Sequence, residues 1–576
     1  MPLLILILAG CGAFALAYRY YGAFLERRMG VRRDRATPAH TRADGVDFVP
    51  TQPALLFGHH FSSIAGAGPI VGPVIASFAF GWAPAVAWIV LGAIFVGGVH
   101  DFTAMISSLR HEGRSIGEIC RERTGVFTYN MMLVFILLTL VYVIIVFLDL
   151  TAASFAPAIP AGMTADRATA LLREGGAVAT ASLAYIGLAV VFGLLLYRFN
   201  LPLGRLTLVF VPIVLGMVAL GLKFPLHTEL VPTFMGSSKH YWSLVLLFYC
   251  FIASVLPVWV LLQPRDFLSS FLLYACLGGG MLGLIVTSLS DPGAAAIRYP
   301  AWIGWSDPHL GLIFPAIFIT IACGAVSGFH SIVASGTSSK QLDLETSARP
   351  VAYGAMLVEG VLALLAVATV MILPKDPGRT PVAVFADGLG TFFSHLGLSV
   401  ESAKVFALLS VSTFLLTTLD TCTRLARMIL QELFRVTTRP GTRFLATLAV
   451  LAIPSWAVFQ DIPGPDGRMM SAWNAIWPAF GATNQLLAAL ALLVVFVWLR
   501  ASGHRALYAG IPAVFMCGTT LSALVQLVHK HLIGGGSQFV GVVSAALLAL
   551  AIAVILSLVR ALARLRSSPP RSSTPA

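Results

Sequence analysis

Few side chains in this chain could do chemistry, and most of those that could lie in long apolar stretches. His59 stands seven residues before Gly66, with Ser62 and Ser63 between them at helical spacing, so His59, Ser62 and Ser63 are expected on one helix face. His60 points elsewhere. His100 and Asp101 are adjacent, His330 follows a glycine-rich run, and Glu359 lies in the first half of a later apolar stretch. An ionisable group at bilayer depth costs at least about 2.5–3.5 kcal/mol on insertion scales, so each needs a partner or a task. Histidine changes charge near neutral pH, and burial moves a paired carboxylate towards neutrality. His59, Asp101 and His330 are therefore the candidate carriers of a transported proton. Asp420 precedes Arg424 by four residues and reads as half of a structural pair, while Asp149 is expected to reach water and takes no role.

Other chemistries find less support. Imidazole suits zinc or copper, but His59, His60, His100 and His330 follow no compact ligand spacing, so an intramembrane metalloenzyme is the weaker reading and no cofactor is expected. No HExxH, GxxxxGK[ST] or GxSxG occurs, which speaks against an enzyme or a built-in ATPase. The seven cysteines form no CxxC and read as small buried hydrophobes. Ser410, Ser412, Thr413 and Thr417 offer an oxygen set for a sodium ion, the alternative to a proton as coupling ion.

The elements that must position these groups follow from composition. Of 576 residues 58% are hydrophobic and only 11% charged, with mean hydropathy +0.87. Soluble domains carry about 25% charge, so the expected class is an all-α polytopic membrane protein. Fifteen stretches are long enough for the roughly 20 residues a span needs: 2–20, 54–81, 83–109, 128–151, 178–197, 203–222, 242–263, 267–289, 310–336, 352–373, 403–421, 443–460, 472–499, 507–528 and 538–559. With the N-terminus outside and the C-terminus cytoplasmic, 27 of the 37 Lys and Arg fall in cytoplasmic segments, Arg265 among them. Crossing again at the apolar segment 381–399 would turn the basic stretch Arg424–Arg443 outwards, so 381–399 is expected to be re-entrant or to lie on the surface. The net charge of +12 then becomes a collar facing anionic lipid, and no basic run interleaved with aromatics suggests nucleic acid. The expected organisation is an accessory first helix (1–20), a basic cytoplasmic loop (21–53), a core (54–499), two peripheral helices (500–566) and a disordered tail (567–576).

Two spans are dense in small residues at mid-length, where each glycine costs a helix about 1 kcal/mol. One carries Gly66, Gly68 and Pro69, with Pro73 beyond; the other carries Gly324, Ser327 and Gly328. The charge rule runs them in opposite directions. An antiparallel pair of glycine/proline-interrupted spans is the sequence pointer to a secondary transporter that binds its substrate at the midplane. Ser62, Ser63, Gly66, Gly68, Gly324, Ser327 and Asn484 are the candidate substrate contacts, against the alternative that the glycines only let helices pack closely.

Long ordered motifs carry a resemblance. Arg35-Ala-Thr-Pro-Ala-His40, Asp44-Gly-Val-Asp47, Phe57-Gly-His-His-Phe61, Ile64-Ala-Gly-Ala-Gly-Pro69, Pro264-Arg-Asp266, the run from Phe318 to His330, Ser335-Gly-Thr337, Leu419-Asp420, Thr423-Arg424 and Trp477-Pro-x-Phe-Gly481 with Asn484-Gln485 resemble carbon starvation protein A from Tyr21 to about Leu490. The resemblance implies a bacterial inner-membrane importer of scarce carbon, a proton-coupled carrier of pyruvate or of short peptides. The topology is also similar to the inverted-repeat fold of the amino acid–polyamine–cation carriers and the leucine transporter. In that fold each repeat begins with a discontinuous helix. Six spans rather than four lie between the breaks, so one pair, 178–222, is expected to be inserted.

Overall fold

A computed structural model describes residues 2–44, 48–159, 162–226, 232–257, 260–436, 441–460, 462–463, 469–535 and 537–567. Its main helices are α1 (Pro2–Arg28), α2 (Pro53–Ile64), α3 (Gly68–Phe80), α4 (Trp82–Arg110), α5 (Val126–Phe155), α6 (Ala165–Arg198), α7 (Leu203–Lys223), α8 (Ser238–Val255), α9 (Leu262–Ser290), α10 (Ile313–Thr320), α11 (Gly328–Gly336), α12 (Glu345–Met371), α13 (Pro381–Ser394), α14 (Val400–Leu433), α15 (Thr442–Val458), α16 (Ala472–Ala501), α17 (Leu507–Ile533) and α18 (Gln538–Ser567). Two short hairpins, Ser306–Asp307 with Gly311–Leu312 and Ile462–Pro463 with Met469–Met470, are the strands among the described residues. The expected tail beyond Ser567 lies outside them.

Among the described residues eleven helices are long and apolar enough to cross a bilayer, and the bent pair α2–α3 makes a twelfth. Helices stand at all fifteen predicted places, but three of these places hold shorter pieces: α8 with 18 residues, α15 with 17, and the divided pair α10–α11. The chain is a multi-pass membrane protein. Within 381–399, α13 has 14 residues and reaches about 21 Å, short of a hydrocarbon core of about 30 Å. It packs on α3, α9, α12 and α14.

Local sequence explains where helices start. Pro53 opens α2 and Gly68-Pro69 opens α3, positions whose backbone donors have no partner inside the helix anyway. Thr380 and Ser399 cap α13 and α14 by accepting from the N–H groups of Ala383 and Ser402. Between α3 and α4, Gly81 takes φ +94°, and a Cβ there would run into the Ala301 carbonyl of the loop covering this turn.

The lipid solvent shows on α7. Leu206, Phe210, Val214 and Val218 recur every fourth residue and face α6, α9 and α14, while Leu208, 79% exposed, and Val209 point outwards. By contrast α16 is buried along almost its whole length and packs on α5, α10, α11, α17 and α18.

Both expected interruptions are present. Ala65 adopts φ −77°, ψ 74°, the Gly66 N–H donates to the Ile64 carbonyl at 2.9 Å in an inverse γ-turn, and the helix axis bends by 45°. Ile321 adopts nearly the same angles, φ −89° and ψ 77°, and α11 resumes at Gly328. First half meets second half across the pair: α2 packs on α11 and α3 on α10, the contact pattern of antiparallel neighbours.

Candidate functional site

The C-terminal half of α4 is pressed against the second break. A Cβ at Gly97 would collide with the Ala325 carbonyl and one at Gly98 with the Tyr353 ring, so these glycines let α4 approach both the break and α12. A π-helical turn, Ala93–Gly97, precedes them and rotates the next residues. Asp101 is thereby turned inwards and accepts on both oxygens: His100 Nδ1 lies 2.7 Å from Oδ1 and His330 Nδ1 2.9 Å from Oδ2. On the other side of the His330 ring, Nε2 lies 3.3 Å from Glu359 Oε2 of α12. All four side chains are shut off from solvent. Three elements, α4, α11 and α12, thus meet in one chain of ionisable groups beside the second break. His60, rather than His59, is turned towards this side, with its Nδ1 2.7 Å from the Ser338 hydroxyl.

His59 belongs to a second cluster. Its Nδ1 is 3.9 Å from Asp266 Oδ2, and Ser62 of the same face donates to the Asp266 carbonyl and meets Ser269 at 2.8 Å. Ser63 donates back to the His59 carbonyl of its own helix. Arg265, counted above among the cytoplasmic charges, is wholly buried in the first turn of α9, where it pairs directly with Asp420 of α14. Tyr249 of α8 bridges the pair, its hydroxyl 2.6 Å from Arg265 Nη1 and 2.7 Å from Asp420 Oδ2. This corrects the expected Asp420–Arg424 pair: Arg424 instead donates to the Leu256 carbonyl at 3.4 Å. Asp149 is corrected too. It is buried, paired with Lys239 at 2.7 Å, and accepts from the Trp473 N–H at the start of α16.

The Asn484-Gln485 motif clamps the second break from α16. Asn484 Oδ1 accepts from the Phe329 N–H in the first turn of α11, and its Nδ2 lies 3.1 Å from Ser327 Oγ. Gln485 Nε2 donates to the Phe318 carbonyl at 2.8 Å, and Trp88 Nε1 donates to that of Ile321 at 3.2 Å. The backbone groups that a helix break leaves orphaned are thus held by side chains. The break glycines serve close packing as well as bending: a Cβ at Gly68 would strike Cys323, one at Gly324 would strike Ala363, and one at Gly328 the Asn484 carbonyl.

Gly66, Cys323, Phe329, Thr418, Phe480 and Asn484 line a cavity of about 10 Å³ between the breaks, room for one water. Thr418 of α14 faces the first break, its hydroxyl 2.8 Å from where a Cβ at Gly66 would lie. Of the proposed ion ligands, Ser410, Thr413 and Thr417 donate to carbonyls of their own helix, and Ser412 meets Ser182 of α6 at 3.1 Å. Among the described residues no three His, Cys, Asp or Glu side chains converge on a metal-sized site.

The model of the carbon starvation protein CstA family matches residues 3–379 and 377–523. The chain belongs to this family. A peptide transporter CstA of Helicobacter pylori is 31% identical over 91% of this chain and 82% of its own, and that of Escherichia coli 31% identical over 90% and 80%. A pyruvate/proton symporter BtsT of Escherichia coli is 28% identical over 90% and 81%. Among solved structures, a manganese transporter variant of Eremococcus coleocola aligns at TM-score 0.42 and 13% identity, covering 89% of this chain and 94% of that one.

Arg265, Tyr249 and Thr418 have no role in the sequence reading, and Glu359 stands there only as one of the ionisable groups in apolar stretches. Glu359 was visible as a lone carboxylate in an apolar stretch, and Arg265 sat inside the Pro264-Arg-Asp266 motif. Thr418 and Tyr249 carry no comparable signal, because hydroxyls are common in apolar helices.

Proposed function

We propose that this family member is a secondary carrier that imports a small carboxylate, pyruvate or the C-terminus of a short peptide, together with protons across the bacterial inner membrane by alternating access. The observation that carries the reading is the sealed chain His100–Asp101–His330–Glu359 beside two broken helices. Ionisable groups at such depth are retained for ion or proton movement. The names of the relatives supply the substrate classes, peptides and pyruvate with a proton.

The substrate site lies between the breaks, where the carboxylate takes the Phe329 N–H that Asn484 Oδ1 now occupies. Ser327, and Ser62 and Ser63 on α2, are the further polar groups of this site. Ligand sites hold about 300 Å³ or more, so the 10 Å³ cavity requires the two half-bundles to part before binding. Rocking about the contacts of α2 with α9 and α11 supplies that motion.

The test is counterflow and gradient-driven uptake in proteoliposomes with labelled pyruvate, unlabelled dipeptide competitors, and imposed proton or sodium gradients. The expected result is accumulation driven by an inward proton gradient without sodium. Uptake that requires sodium at fixed pH transfers the coupling to the other ion, and equilibration without accumulation makes the protein a channel.

A further inference from the structure

The ionisable chain sets two carboxylates, Asp101 and Glu359, against the two nitrogens of one imidazole, that of His330. His330 stands between Asp101, 2.9 Å from Nδ1, and Glu359, 3.3 Å from Nε2. The two carboxylates differ in support. Asp101 is hydrogen-bonded on both oxygens, by His100 and by His330. Glu359 is fully buried, and neither of its oxygens finds a partner of hydrogen-bond geometry, nor does His330 Nε2 facing it.

Among the described residues, the surroundings of Glu359 offer no other countercharge. Of the helices packed on α12, α1 carries its charges only at its far end, and α3 carries none. α4 carries Asp101 and His100, already bonded to one another, and Arg110, which goes to Glu345. His60 on α2 is bonded to Ser338, and His59 faces Asp266. Arg265 and Asp266 of α9 are engaged with Asp420 and His59, and Asp387 of α13 with Arg379 and Lys404. The Cys323 thiol of the second break is a further titratable neighbour.

A buried carboxylate without hydrogen bonds is stable only when neutral or facing a full cation. Two states of equal total charge then lie close together: a protonated Glu359 beside an imidazole, and an ionised Glu359 beside an imidazolium. Asp101 is held ionised in both. We propose that Glu359 is the group that accepts and releases the coupling proton, with His330 as its relay and Asp101 as the fixed anion that positions the ring. The proton comes from water on the outer side when the bundle opens outwards, and leaves to water on the inner side after the substrate has entered. No bond other than O–H and N–H changes. His330 moves with α11 and Glu359 with α12, so parting the breaks changes the distance between them and with it the proton's position.

This inference rests on the proton-symport reading, and the experiment keeps the two apart. Wild type, Glu359→Gln and Glu359→Asp are reconstituted, and pyruvate is followed in counterflow without gradients and in uptake driven by an inward proton gradient. Glutamine mimics the neutral carboxyl. Glu359→Gln is expected to keep counterflow within about threefold of wild type while losing accumulation and its dependence on pH. Glu359→Asp is expected to keep accumulation with a displaced pH profile. If wild type itself shows no proton-driven accumulation, the symport reading fails. If wild type accumulates and Glu359→Gln accumulates with the same pH profile, Glu359 is not the carrier. Loss of counterflow in both variants, with folding intact by thermal melting, makes Glu359 structural and also overturns the proposal.

Discussion

At the scale of single residues, the sharpest expectation concerns Arg265. Removing one partner of a buried ion pair leaves the other charge uncompensated, which costs about 3–5 kcal/mol, whereas removing both is close to neutral. Arg265→Met is therefore expected to lower the melting temperature in detergent far more than the double variant Arg265→Met with Asp420→Leu, and a double-mutant cycle checks it. Asp101→Asn presents an N–H group to one imidazole donor, costs about 1–3 kcal/mol through the unmade bond, and abolishes proton-driven accumulation in the uptake assay. The residue scale also shows what a sequence conceals. Asp420 has Arg424 one helical turn away, and nothing in the sequence favours Arg265, which lies 155 positions earlier. Only packing of α9 on α14 decides between them.

At the scale of elements, the glycines separate into two kinds. Gly328 has the Asn484 carbonyl where a Cβ would go, while Gly216 on the lipid side of α7 has open space. Gly328→Ala is expected to destabilise by about 1–3 kcal/mol by forcing α11 off α16. Gly216→Ala should stabilise by up to about 1 kcal/mol through helix propensity. Thermal melts of the two variants side by side measure the difference. The broken helices themselves were legible, because glycine and proline crowded at mid-span weaken a continuous helix just where lipid offers the backbone no other partner. The two uses of those glycines were not separable from sequence, since bending and close approach demand the same residue. That Asn484 and Gln485 hold the ends of the second break was invisible for another reason: α16 reaches the break only in three dimensions.

At the scale of the whole molecule, composition and periodicity already dictated a many-helix membrane protein, and the positions of all fifteen predicted stretches carry helix. Their lengths were less legible, since α8 stops at Val255, ahead of Pro257, and the long opening between α10 and α11 divides what hydropathy alone reads as a full span. The cytoplasmic-collar count also included Arg265, which the fold buries. The basic stretch after α1 does more than face lipid: Arg32 N and the Arg35 and Arg110 guanidiniums converge on the buried Glu345, and His40 pairs with Asp343 at 2.8 Å. This strap ties the N-terminal segment to the stretch between α11 and α12. A molecule-wide opening has a direct readout in Cys323, which is buried at the cavity wall. A charged maleimide is expected to leave Cys323 untouched at rest and to modify it during turnover with pyruvate and a proton gradient, as followed by mass spectrometry.

The narrowness of the space between the breaks also bears on economy. Under the proposed symport, room for one water between the breaks and ionisable groups shut off from solvent would hinder protons from slipping inwards unaccompanied. If the proposed proton symport holds, an idle carrier that leaked would drain the gradient it depends on. On that reading the tight fit of glycine against cysteine and carbonyl at the breaks would insulate as well as bend.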